Sequence, residues 1–247
     1  MEFTDWPVFL LGAVAVFLGS TLQASTGIGL GMVAAPILLM IDPVLVPGPI
    51  LVLALLVSIL IARREWSDID KSGLAVALGG RVPGSILAGL TMTLLPLEFY
   101  SIVFGVMVIL AVALSSLGLK VMPTRTNLLT AGFASGYMGT LTSIGAPPMA
   151  IAYQHGSPPT IRSTMAAYFV IGTAVSIVIL AFYGRFGIEQ IVASIVFVPP
   201  LILGYWTSGH VVRRLDRELV RRSVLALSGI SGLILIVRSL PAIATGQ

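Results

Sequence analysis

The chain is predicted to be an all-α integral membrane protein made of two inverted repeats. Each repeat is a broken, re-entrant helix hairpin followed by three transmembrane helices. Three observations carry that expectation: a scarcity of charge, a series of hydrophobic stretches of membrane-crossing length, and a pattern that recurs 116 positions further on. Of the 247 residues, 57% are hydrophobic and 10% charged, with a mean hydropathy of +1.04. A soluble domain carries roughly a quarter charged residues, so this chain has too little charge to cover a water-facing surface. Its length suits six to eight spans of about 20 residues with short connections.

The same composition excludes several kinds of function. Cysteine is absent, which removes disulfides, thiolate metal sites and cysteine nucleophiles. Lysines and arginines are spread among the connections, so the basic balance does not indicate nucleic-acid binding. The start, Met1-Glu2-Phe3-Thr4-Asp5-Trp6, is acidic where a signal peptide needs a basic segment, and it reads as mature sequence. Trp6 suits an interfacial anchor.

The first repeat is expected over 1–120. Its re-entrant segment, 7–41, has no charged residue and is too long for one span; the glycines at 27, 29 and 31 divide it. Helices follow over about 43–62, 72–95 and 97–119; the second of these carries Arg81 and the breakers Gly79-Gly80 and Pro83-Gly84. The second repeat, 121–247, begins with a re-entrant segment over 127–155, broken at Ser143-Ile144-Gly145-Ala146-Pro147-Pro148. Helices are then expected over about 160–182, 188–211 (with Pro199-Pro200) and 220–237.

At the constant offset, Phe17 matches Phe133, Thr26 matches Thr142, Ile28 matches Ile144 and Gly29 matches Gly145. Pro43 matches Pro159, and Val82-Pro83 matches Val198-Pro199. Apolar matches are cheap in such a sequence, but prolines, a glycine and a threonine in ungapped register mark an internal repeat.

Loop charge decides the relative orientation of the halves, because Lys and Arg gather on the cytoplasmic side. If each broken segment returns to the side it entered, Arg63, Arg64, Lys71, Lys120, Arg125, Arg162, Arg213, Arg214, Arg217, Arg221 and Arg222 all face the cytoplasm. Arg185 and Arg238 then face out, and Arg81 lies within the membrane. Three crossings per half invert the second repeat and put both termini outside.

Non-helical backbone in hydrocarbon is costly unless protein or a wet cavity surrounds it, so the two breaks mark a site. A helix that begins at a break points unpaired N–H groups and its positive dipole end inward, which binds anions without a cationic side chain. The predicted anion site is therefore Ser25, Thr26, Gly27, Ile28 and Gly29 with Thr142, Ser143, Ile144 and Gly145. Arg81 joins it as the one cation at mid-membrane, with no carboxylate at similar depth. The bland alternatives are glycines that serve helix packing and an arginine bonded to carbonyls freed by Pro83. Phe197 holds the position equivalent to Arg81. His155, His210 and Arg162 fall near the cytoplasmic boundary, where structural roles compete with gating or anion attraction. Paired carboxylates, metal-spaced histidines and nucleophile motifs are missing, so neither a cofactor nor an enzyme activity is expected.

These residues resemble the TauE/SafE sulfite exporter family of bacterial membrane proteins (TSUP). The likeness rests on the glycine-rich first break and Ser143-Ile144-Gly145-Ala146-Pro147-Pro148 in the second half. Pro83-Gly84, Pro199, Gly204 and Arg213-Arg214-Leu215-Asp216 add to it. Pro200, where such proteins often have glycine, and the hydroxyl-rich first break depart from the family pattern. The resemblance implies export of sulfite or an organosulfonate such as sulfoacetate across the inner membrane, whereas the residues alone indicate a small oxyanion. Alternating access is expected; an anion channel, a transporter of another small anion such as a carboxylate, and an intramembrane enzyme remain alternatives. Protons as coupling ion and a homodimer are left open.

Overall fold

The computed structural model describes residues 6–118, 121–214 and 217–245, with side chains except at 97–98, 210–214, 217–221 and 240–245. The acidic start before Trp6, Lys120, and the side chains of His210, Arg213, Arg214, Arg217 and Arg221 therefore lie outside the described residues.

The described residues form eleven α-helices, two short 3-10 turns and no strand. In chain order they are α1 (Trp6–Thr26), α2 (Leu30–Ile41), α3 (Gly48–Arg64), α4 (Lys71–Leu94) and α5 (Leu97–Ser116). The second half follows with α6 (Arg125–Thr142), α7 (Ala146–Tyr153), α8 (Pro158–Phe182), α9 (Ile188–Val196), α10 (Val198–Arg214) and α11 (Arg217–Thr245). Six of the spans are long and apolar enough to cross a membrane, and α9 with α10 makes a seventh if the bent pair is one span. This is a multi-pass membrane protein.

Local chemistry sets the helix starts. Asp70 accepts from the Gly73 N–H at the start of α4, Thr124 from Asn127 at α6, and Ser157 from Thr160 at α8. Both expected breaks are present, over 27–29 and 143–145. The limbs of each hairpin are unequal, however. α1 has 21 residues and α6 has 18, about 30 Å each, because neither meets a breaker before its glycine cluster. The returning limbs, α2 and α7, have 12 and 8 residues.

α4, expected as one helix over about 72–95, runs over Lys71–Leu94 without a break at Gly79, Gly80 or Pro83. A further expectation changes. The helix predicted over 188–211 instead bends by 50° at Phe197. Pro199 and Pro200 have no N–H to return to the preceding turn, so the ladder is interrupted there.

The principal helix pairs are α4 with α6, α1 with α10, α3 with α8, and α5 with α11. Exchanging the two halves turns the first pair into the second and the last two into themselves. α4 and α6 run parallel and nearly touch along their backbones. A Cβ on Gly80 would fall 2.0 Å from the Leu129 carbonyl oxygen and one on Gly84 2.2 Å from that of Phe133. From the other side, Gly132 would meet the Ala77 oxygen at 2.0 Å and Gly136 that of Arg81 at 2.3 Å. Such close approach is how helices pack where burial from water supplies no drive. In the matching pair, Gly12 of α1 lies against Phe197, and Ser20 donates to the Leu201 carbonyl at 2.8 Å. A Cβ on Gly204 would fall 2.4 Å from the oxygen of Phe17, the residue that matches Phe133.

Candidate anion site between the two helix breaks

The first break turns on Gly27 (φ 86°) and Gly29 (φ 149°), backbone angles that a side chain would strain. The second turns on Ser143, whose φ of 62° is uncommon for a residue with a Cβ. The Ile28 and Ile144 N–H groups bond to the Thr26 and Thr142 hydroxyls, at 3.3 and 3.2 Å, so the two breaks, which match in sequence, share this hydrogen bond.

The breaks meet. A Cβ on Gly31, in the first turn of α2, would sit 2.0 Å from the Ser143 carbonyl oxygen. They approach from opposite ends of the bundle, however. Gly27 abuts the Arg162 backbone at the start of α8, whereas the Ser143 hydroxyl donates to the Pro47 carbonyl, just before α3, at 2.9 Å. Between them is a cavity lined from α1–α2 by Gln23, Gly29, Gly31 and Met32, and from the second break by Gly139, Ser143, Ile144, Gly145 and Ala146. Leu51 and Ala54 of α3, Arg81 of α4, and Phe169 and Thr173 of α8 complete the wall.

Of the ten residues singled out from sequence, the fold brings Gly29, Arg81, Ser143, Ile144 and Gly145 to this cavity. The other five are not among its lining residues. Ser25 donates to the Thr21 carbonyl at 2.5 Å and Thr26 to that of Leu22 at 2.9 Å, turning both hydroxyls back onto α1. Thr142 likewise donates to Met138, at 2.7 Å. Gly27 faces α8, and Ile28 packs with the cluster around Met149 and Tyr168.

Arg81 is 1% exposed. Its Nη1 donates to the Ser135 hydroxyl and its Nη2 to that of Ser176, both at 3.3 Å, while Nε has no partner. No described carboxylate pairs with it. The expected competitor, carbonyls freed at Pro83, is not what the guanidinium engages, since its hydrogen bonds go to the two hydroxyls. The guanidinium instead lies 4.9 Å from the Tyr168 ring centroid and 5.8 Å from that of Phe169. Aromatic faces recover part of the hydration that a buried cation loses, on the order of 2 kcal/mol when desolvated. Room for the group comes from Gly172, where a Cβ would fall 2.0 Å from Nε. Ser135 also donates to the Gly145 carbonyl at 2.5 Å, tying the cation to the second break. Hydroxyls and rings thus hold the guanidinium in place, and no described carboxylate neutralises it.

Gln23 was not singled out from sequence. Its Oε1 accepts the Leu30 N–H at 3.2 Å, capping α2, and its Nε2 donates to Ser58 at 3.0 Å. A lone amide in the uncharged stretch 7–41 was the available signal. Gly139, its counterpart at the repeat offset, lies on the same cavity beside Arg81. Thr173, Ser135 and Ser176 carried no sequence signal, since hydroxyls are common in apolar helices. His155 is exposed after α7, and Arg162 is engaged by Glu65 rather than by the cavity. At the end of α7, burial and then the Asp70 carboxylate push the Tyr153 phenol above its ordinary pKa, so it remains a donor to Asp70 at 3.1 Å.

The cavity's polar wall is thus an arginine, an amide, hydroxyls and two helix starts, which offers donors to a negatively charged guest and no described general acid or base. Comparison with curated proteins and with solved structures finds no match. The family model described as sulfite exporter TauE/SafE matches residues 11–235, nearly the whole chain. The chain belongs to the TauE/SafE sulfite exporter family and is a membrane transporter of anions.

Proposed function

We propose that this protein exports a small sulfur oxyanion, sulfite or an organosulfonate such as sulfoacetate, across the bacterial inner membrane by alternating access. The observation that carries the reading is Arg81: a buried guanidinium with no described carboxylate partner, on a cavity shared by both helix breaks. The anion supplies the missing charge. It is held by Arg81 and by the N–H groups of Gly29, Gly31, Gly145 and Ala146 at the two breaks. The inside-negative potential favours its exit by about 2.3 kcal/mol per charge per 100 mV.

The helix directions support inverted repeats and outward-facing termini. α4 and α6 run parallel, so Lys71 and Arg125 start from one face of the bundle. Arg64 donates to the Ala24 carbonyl, placing the end of α1 at that same face and its start at the other. α1 and its counterpart α6 therefore run in opposite directions.

Uptake of sulfite into inverted vesicles tests the function. Saturable uptake in the wild type, lost in Arg81→Ala with the protein still folded, is expected; near-normal uptake in that variant removes Arg81 from the site. Ion conductance without saturation supports a channel instead.

A further inference from the structure

At the face where α1 and α3 end and α8 begins, a carboxylate lies between two arginines. Arg162 Nε donates to both Glu65 oxygens, at 2.8 and 2.6 Å, and Arg64 Nη2 lies 3.0 Å from Oε1. The Glu65 side chain is 13% exposed, against 24% for Arg162. The same arginines hold the first break: Arg64 donates to the Ala24 carbonyl at 3.0 Å and stacks on Tyr205 of α10 at 5.6 Å. The Arg162 Cα faces Gly27, where a Cβ would fall 3.0 Å away.

This cluster lies close to the cavity. Phe169 on the cavity wall and Arg162 are seven positions apart on α8, about 10 Å. Gln23, also on the wall, precedes Ala24. The pair joins α3 of the first half to α8 of the second, the elements that must separate if the halves rock. At the other end of the bundle, the second break is fastened by neutral hydrogen bonds to carbonyls, Ser143 to Pro47 and Tyr100 to Leu141. One entrance is closed by charge and the other by hydroxyls.

Resting on the proposed transport function, we infer that Glu65–Arg162 is a latch over one entrance to the cavity, opened when a substrate oxyanion takes the carboxylate's place on Arg162. Glu65 presents two oxygens to the guanidinium as a sulfite or sulfonate would, so exchange leaves the arginine satisfied and frees α3 from α8. A closed entrance then does not cost an unpaired arginine, and anions compete with a tethered carboxylate to enter.

The native chain has no cysteine, so a single Ala54→Cys reporter on the cavity wall reads the latch without substrate. A charged, membrane-impermeant maleimide is applied to each face of vesicles. Glu65→Gln and Arg162→Ala should each speed labelling from the Arg162 face by about fivefold, the scale set by one partly exposed ion pair. The double variant should label no faster than either single one. Unchanged labelling in Glu65→Gln, or additive effects, overturns the latch; Glu65→Asp, with its carboxylate withdrawn by one methylene, gives an intermediate rate if the amide variant does not fold. KM for sulfite entering at that face tests the exchange: it should fall in Glu65→Gln and rise in Arg162→Ala, and a shift of the same sign in both overturns it. The labelling result is independent of whether sulfite is the cargo, so failure of the latch and failure of the transport reading are separable.

Discussion

Replacing Arg81 by methionine or by lysine separates the two effects of a buried cation, its cost to folding and its attraction for a ligand. Arg81→Met removes a half-satisfied charge and keeps the volume. Such exchanges are often neutral or stabilising, so unfolding in detergent should stay within about 1 kcal/mol of wild type or exceed it. Sulfite affinity should meanwhile fall about a hundredfold, a typical cost of losing one partner of a buried charge pair. Isothermal titration and thermal unfolding on the same sample check both; a large loss of stability would make Arg81 structural. Arg81→Lys keeps the charge but cannot reach Ser135 and Ser176 together, and should fall between the two. Arg81 was legible in the sequence, as a cation nine residues into an apolar helix with no acid at its depth. Its holders were not: Ser135 and Ser176 look like any hydroxyls on apolar helices, and only packing aims them. Ser25 and Thr26 misled for the same reason, since a hydroxyl on a helix can satisfy itself on the preceding turn, as both do here.

The helix breaks have a different exposure to mutation, because they depend on backbone approach rather than on charge. Gly31→Val would drive a branched side chain into the Ser143 carbonyl, where even a Cβ would fall 2.0 Å away. Overpacking of that kind costs about 1–3 kcal/mol, and here it also pushes the breaks apart, so binding should be lost even in protein that remains folded. Titration of the monodisperse fraction measures this, and unaltered affinity would show that the breaks need not meet. Gln23→Leu fills similar volume but leaves the Leu30 N–H uncapped, at a cost of about 0.5–2 kcal/mol by analogy with other N-caps. Its readout is unfolding of the purified variant. A glycine cluster at the first break, and Gly145 with Pro147-Pro148 at the second, were enough to locate both inside stretches too long for one span. The contact of Gly31 with Ser143 joins residues 112 positions apart and leaves no local pattern. The Phe197 bend was foreshadowed only by the proline pair, whose matching Pro83 leaves α4 continuous: a single proline in a membrane helix is tolerated when neighbours absorb it, whereas two in succession remove two ladder bonds.

For the molecule as a whole, packing gathers the basic residues on one face, and charge gives that face an expected side of the membrane. Arg64, Lys71 and Arg162 gather at the face where α1 ends, and α10, parallel to α1, ends there too. A face rich in Lys and Arg is expected in the cytoplasm, which puts the start of α1 outside in the proposed orientation. After α10, α11 has 29 residues, about 43 Å, more than enough to return across the hydrocarbon. Both termini should therefore be external, as loop charge alone also predicts. A protease-cleavable tag fused at either end should be removed from intact spheroplasts without lysis. Protection of both tags would reverse the molecule in the membrane, put the Glu65–Arg162 latch at the outer entrance, and turn the proposed exporter's cytoplasmic gate into its exit. Protection of only one would give an odd number of crossings and overturn the proposed pair of inverted repeats. The orientation experiment thus bears on the repeat as well as on the topology, since two inverted units with three crossings each must return the chain to the side where it began.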